Sequence, residues 1–237
     1  MALPKNSTPI YNLTIPSTGK SVRFRPFLVK EEKSLLLAQQ SEDSVVMVNT
    51  LQSIIGSCIL DKIDVSSLAV FDLEYIFTQL RAKSVGEEVE LTFKCGHCDD
   101  EKAKVKVKFD LTKIEVYKDP EHTNKIVLFD NVGVVLKYPT IDSVNKLGSV
   151  DANDVDDIFE VIASCIDYIF DESEIYYAKE TPKEEIMEFL NDLNSAQFLK
   201  IQTFFDTMPK IKIDVDFICP ICEAKNHTTL SGLSDFF

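Results

Sequence analysis

Residues 89–98 read VELTFKCGHC and residues 211–222 read IKIDVDFICPIC. In the first, Val89, Leu91 and Phe93 alternate with Glu90, Thr92 and Lys94. In the second, Ile211, Ile213, Val215 and Phe217 alternate with Lys212, Asp214 and Asp216. A period of two places the apolar side chains on one face of a strand. Each strand runs into Phe-x-Cys-x-x-Cys. The first is followed by Ala103, Val105, Val107 and Phe109 alternating with Lys102, Lys104, Lys106 and Lys108. That is a hairpin with one wet face, tipped by a cysteine pair.

Cys-x-x-Cys in a tight turn lets two sulfurs point at one ion, and zinc favours four such ligands in a tetrahedron. Cys95, Cys98, Cys219 and Cys222 are therefore the candidate ligands of one structural Zn2+. Four thiolates leave no open position for water, so the site implies no catalysis. The 120 residues between Cys98 and Cys219 far exceed the spacing of an ordinary zinc ribbon. A redox pair is the first rival, but it wants a helix after the pair, and strand-like sequence follows Cys98. Free thiols are the second. His97 and His227 flank the pairs and could stand in for a missing cysteine. Cys58 and Cys165 sit in apolar helical stretches and read as small buried residues.

Outward from the cysteines, the rest of the chain shows a plan that recurs. Tyr11, Leu13 and Ile15, then Val22 and Phe24, make a hairpin around Pro16-Ser17-Thr18-Gly19, closed by Pro26. Helices follow from Phe27, over Asp43–Leu60 and over Val70–Lys83. In the second half, Ile126–Phe129 and Val134–Tyr138 form a hairpin closed by Pro139. An apolar-faced helix is predicted over Asp154–Phe170, then helices near Lys183–Leu193 and Ser195–Thr207. Thr181-Pro182-Lys183-Glu184 reads as a capping box. The fold class is α+β: two similar halves of β-hairpin plus helices, residues 1–118 and 119–237, joined by a four-cysteine zinc-knuckle site. An ancient duplication would produce this plan.

Charge and composition narrow the function. Lys and Arg number 25 against 39 Asp and Glu, a net charge of −14. Overall attraction to nucleic acid is excluded by that balance. The four-lysine stripe reads as a solvated strand face, diluted by acidic neighbours. Residues 151–192 hold 14 acidic residues and two lysines, a solvated face or a docking surface for a basic partner. The apolar runs fall far short of the roughly 20 residues that span a bilayer. No secretory signal is visible, so a reducing cytoplasm is expected and the Asn-x-Ser/Thr matches at Asn6, Asn12 and Asn226 read as chance. No Gly-rich phosphate loop, zinc-protease motif or nucleophile elbow occurs. Asp154, Asp156 and Asp157 lack the register of a calcium loop. Nothing points to an enzyme.

Pro16-Ser-Thr-Gly-Lys20, Phe24-Arg-Pro-Phe-Leu-Val-Lys-Glu-Glu-Lys33 and the run from Phe71-Asp-Leu-Glu-Tyr to Ser84-Val-Gly86 resemble the T4-type bacteriophage baseplate protein family, the hub or hub-assembly proteins of contractile tails. The resemblance implies a non-enzymatic role in assembling a baseplate hub. Its partners would be other phage tail proteins, hub or tape measure, with no nucleic acid and no membrane. It implies a place in the host cytoplasm during assembly and in the virion if the protein is retained. A weaker likeness to tail-assembly chaperones suggests one that leaves before maturation. A zinc-stabilised adaptor unrelated to tails is the third reading. The apolar faces of Phe27–Leu37 and Phe71–Leu80 are either core or the surface a partner helix would use.

Overall fold

The protein is described from a computed structural model, covering residues 7–41, 43–98, 100, 102–143 and 155–232. The elements are β1 (Tyr11–Thr14), β2 (Ser21–Phe24), α1 (Val29–Ser41), α2 (Ser44–Cys58), α3 (Val70–Ser84), β3 (Glu88–Lys94), β4 (Lys104–Asp110), β5 (Val116–Tyr117), β6 (Lys125–Phe129) and β7 (Val132–Leu136). After them come α4 (Val155–Cys165), β8 (Ile166–Phe170), β9 (Ile175–Tyr177), α5 (Lys183–Asn191), α6 (Ser195–Thr207), β10 (Lys210–Ile218) and β11 (Lys225–Ser231). The mixed α+β class is as expected.

Two compact units divide the chain. One takes residues from 1–65, 71–117 and 210–237, the other from 66–70 and 118–209. This differs from a cut into 1–118 and 119–237, because β10 and β11 return to the first unit. The physical reason is strand pairing. Tyr117 pairs with Lys210 and Val116 with Ile211, so β5 and β10 close the neck of the inserted segment. Both cysteine hairpins therefore lie in one unit, and an ion between them would brace that unit instead of clamping two halves.

In the first unit, β1 and β2 pair antiparallel with Leu13 opposite Val22. Gly19 takes a φ of 68° in their turn, a conformation that costs other residues strain. Asp72 at the start of α3 is fully buried. It accepts from the Ser17 amide at 2.9 Å and from the Ser17 hydroxyl, tying the turn to the helix. α3 is core: Phe71, Leu73, Ile76, Phe77 and Leu80 are all buried. α1 by contrast exposes Val29, Leu36 and Leu37. Asp43 caps α2 through the amides of Val45 and Val46, a device typically worth about 1 kcal/mol.

The second unit is built on the sheet β6-β7-β8-β9. Ile126, Leu128, Val134 and Leu136 from its strands meet Ile162, Ile166, Ile186, Leu190, Ile201 and Phe204. The helix predicted over Asp154–Phe170 ends at Cys165, and Ile166–Phe170 is a strand. The apolar run suits either state, and the free edge of β7 decides it, pairing Val134 with Ile169. The capping box at Thr181 is also corrected: α5 has Pro182 at its N-cap without a side-chain cap. The Thr181 hydroxyl donates instead to the Tyr177 carbonyl at 3.0 Å. A capping box does form at Asn194 and Gln197, opening α6. Asp154 lies outside the described residues; Asp156 and Asp157 occupy the first turn of α4, where acidic side chains suit the helix dipole. No helix among the described residues is long and apolar enough to cross a membrane.

His122 packs in this unit against Tyr138 and Phe204, with ring centroids 5.7 and 5.0 Å away. Its Nδ1 meets the Thr207 hydroxyl at 2.9 Å, while its Nε2 is buried without a hydrogen-bond partner. Burial holds the ring below its ordinary pKa, so the folded state favours the neutral form. The stability this reflects is present above the unfolded value of about 6.5 and declines as pH falls from there through the folded value.

Two predictions arise here. Asp72→Ala removes the hydrogen bonds that tie Ser17 to the buried carboxylate and lowers the unfolding free energy by roughly 1–3 kcal/mol, read by urea denaturation. Between about pH 7.5 and 5.5, the denaturation midpoint of the wild type drops more than that of His122→Phe, which keeps the stacked ring and removes the titration.

Candidate metal centre

The site begins with two hairpins. β3 pairs with β4 in continuous register from Glu88–Asp110 to Lys94–Lys104. β10 pairs with β11 from Lys212–Ser231 to Ile218–Lys225. Val89, Leu91, Phe93, Val105, Val107 and Phe109 pack on a buried cluster that includes Ile211, Val215, Phe217 and Leu230. The Phe93 and Phe217 rings lie 5.6 Å apart. Two hairpins joined by their apolar faces carry their tips to the same place. Their outer faces are polar. On β4, Lys106 reaches Glu90 at 2.6 Å and Lys108 reaches Glu88 at 3.6 Å, so β3 neutralises much of the lysine stripe.

At the tips all four predicted cysteines converge. The Sγ atoms of Cys95, Cys98, Cys219 and Cys222 lie within 4.8 Å of one another. Cys95 and Cys222 are 3.7 Å apart, Cys98 and Cys219 3.8 Å. Both are far beyond the roughly 2 Å of a disulfide. A tetrahedron with Zn–S of about 2.3 Å has an edge of about 3.8 Å, so the donor set fits a metal ion. Cys95 and Cys219 are buried, Cys98 is half-buried and Cys222 is exposed. Ala103 packs beside Cys95 and Cys219, buried.

The turns aim backbone amides at the sulfurs. The His97 amide donates to Cys95 Sγ at 3.3 Å and the Ile221 amide to Cys219 Sγ at 3.4 Å. The amides of Asp100 and Ala224 act in the same way on Cys98 and Cys222. The knuckles are closed by Cys95 N–H to Ala103 carbonyl at 2.9 Å and Cys219 N–H to Ala224 carbonyl at 3.0 Å. Glu223 adopts a φ of 57° in the second.

The sulfurs are not equivalent. The His97 amide, with help from Asn226 and the neighbouring thiols, pulls Cys95 down to about 6 against the effect of burial. Burial, then the hydrogen bond with Cys222, pushes Cys98 up to about 12. Cys222 is also raised: the Ala224 amide lowers it, and burial with Cys219 outweighs that. Of these three thiols, Cys95 alone is displaced toward the thiolate. Cys58 and Cys165 stand apart, each pushed up to about 11 by burial.

Neither flanking histidine enters the cluster. His97 contributes its amide. His227 is exposed on β11, its Nδ1 2.9 Å from Asp216. The residue that sequence reasoning missed is Asn226, buried on β11 beside the sulfurs. Its only mark in the sequence was a chance Asn-x-Thr match.

The family profile described as T4 bacteriophage base plate protein matches residues 8–237, nearly the whole chain. The chain belongs to this family. For this base plate protein, no curated protein and no solved structure gives a match. The family supports a structural or assembly role in the phage base plate, in association with other tail proteins, and a place in the virion tail.

Proposed function

We propose that this base plate protein is a non-enzymatic component or assembly factor of a contractile-tail hub, its first unit pinned by one structural zinc on Cys95, Cys98, Cys219 and Cys222. The observation that carries the reading is the convergence of four sulfurs at tetrahedral spacing in a chain of the base plate family. The ion would supply a cross-link between the hairpins and the charge that lets all four cysteines ionise together. The residues around it aim amides at the sulfurs and exclude water from Cys95 and Cys219. All four ligand positions are filled by protein, which suits a brace and leaves no place for substrate.

The similar-halves reading belongs to the same proposal. Arg25 N–H bonds the Cys58 carbonyl at 3.0 Å, and Lys137 N–H bonds the Cys165 carbonyl at 2.8 Å. Phe24 bridges Ile59, and Leu136 pairs with Ile166. In both places a hairpin strand receives the residue that follows a helical cysteine, just before a proline. This local recurrence supports a duplicated hairpin-and-helix module, later interleaved.

Purified protein is expected to carry about one zinc per chain. Cys95→Ser and Cys219→Ser each lower that content sharply, whereas His97→Ala and His227→Ala leave it unchanged, by elemental analysis. Chelation lowers the thermal midpoint. A content well below one, indifferent to the cysteine changes, removes the zinc. A hub component is also expected at stoichiometric amounts in purified virions by mass spectrometry; its absence there favours the chaperone reading.

A further inference from the structure

Asn226 crosses from the second hairpin to the first. It sits opposite Phe217 in β11, 8% exposed, with its amide directed at the first knuckle. Its Oδ1 accepts from the Gly96 amide at 2.9 Å. Its Nδ2 donates to the Ala224 carbonyl at 3.0 Å and to Cys95 Sγ at 3.6 Å. Only this orientation satisfies all three neighbours: turned over, the oxygen would face a carbonyl and a sulfur, and the NH2 would face an N–H. Apart from the cysteines themselves, it is the side chain among the described residues that donates to these four sulfurs.

Two consequences follow from the geometry. The Gly96 bond holds the turn that separates Cys95 from Cys98, so Asn226 governs where the first pair aims. The Cys95 bond places a partial positive charge on that sulfur from outside its own turn. A zinc held by four thiolates carries a formal charge of −2, and in a half-buried site every N–H donor to sulfur spreads that charge. Each knuckle supplies backbone amides to its own sulfurs. Asn226 adds an amide donor that reaches across, from the strand after Cys222 to the sulfur of Cys95.

We propose that Asn226 is a positioning residue of the metal site, fixing the first knuckle and moderating the Cys95 thiolate so that the metal is retained. This rests on the zinc reading above. Asn226→Asp keeps the size and the acceptor for Gly96 but turns a donor into a second oxygen facing Cys95. Asn226→Ala removes all three contacts.

The full chain, the two variants and the wild type are loaded with Zn2+ and with Co2+. Zinc retention is measured by competition with a chromogenic chelator, the cobalt site by its thiolate charge-transfer and visible bands, and the fold by circular dichroism. The expected result is a wild type with a tetrahedral thiolate cobalt spectrum. Both variants remain folded and bind one metal, with zinc held about 10–100-fold more weakly and the charge-transfer bands displaced. Equal retention and unchanged bands in both variants overturn the role of Asn226 while leaving the zinc site standing. A wild type that takes up no metal overturns the zinc reading and this inference with it. Variants that fail to fold in excess zinc also overturn it, since the residue then serves the fold and not the metal.

Discussion

Bringing four sulfurs within 4.8 Å of one another satisfies geometry at the expense of electrostatics. Four thiolates at that spacing repel strongly, and four clustered thiols gain little. The first unit is arranged around this constraint. The apolar faces of β3–β4 and β10–β11 press the hairpins together, and the rings of Phe93 and Phe217 set their approach. Amides at each turn then point at sulfur. The packing brings the sulfurs close, and the amides make a negative cluster tolerable. A divalent cation would complete that logic.

The alternation in 89–109 and 211–217 was legible because a strand with one wet face writes its period directly into the sequence. α3 was legible for the same reason, with apolar residues at helical spacing and Gly86 at its end. β8 was not. Ile166-Asp-Tyr-Ile-Phe170 continues the apolar pattern of α4, and only the open edge of β7 converts it to strand, a tertiary effect that local propensity does not carry. β5 is two residues long, below any periodic signal.

The candidate site divides in the same way. The four clustered cysteines could be singled out from Cys-x-x-Cys spacing, since a metal site would ask for that residue type at that interval. Their convergence across 120 intervening residues depended on strand pairing at the neck, which no local pattern encodes. Asn226 was invisible because its role lies in where an amide points, and the sequence holds only its presence after the second knuckle. His227 looked more promising than its neighbour, yet strand alternation turns it outward to Asp216 and turns Asn226 inward.

The interleaving of the two units also bears on the order of events at the ribosome. Synthesis runs from the N-terminus, so β3, β4 and Cys95–Cys98 emerge long before β10 and β11. The segment 118–209 can collapse on its own sheet while the earlier hairpin still waits with its apolar face uncovered. Closing so long a loop costs only slowly growing entropy, and the pairing of Val116–Tyr117 with Lys210–Ile211 shortens the search by drawing the two ends together. Until then the nascent first unit exposes Val89, Leu91, Phe93 and a lone pair of thiols, the interval in which a chaperone, an oxidant or premature contact with a partner has its best opportunity.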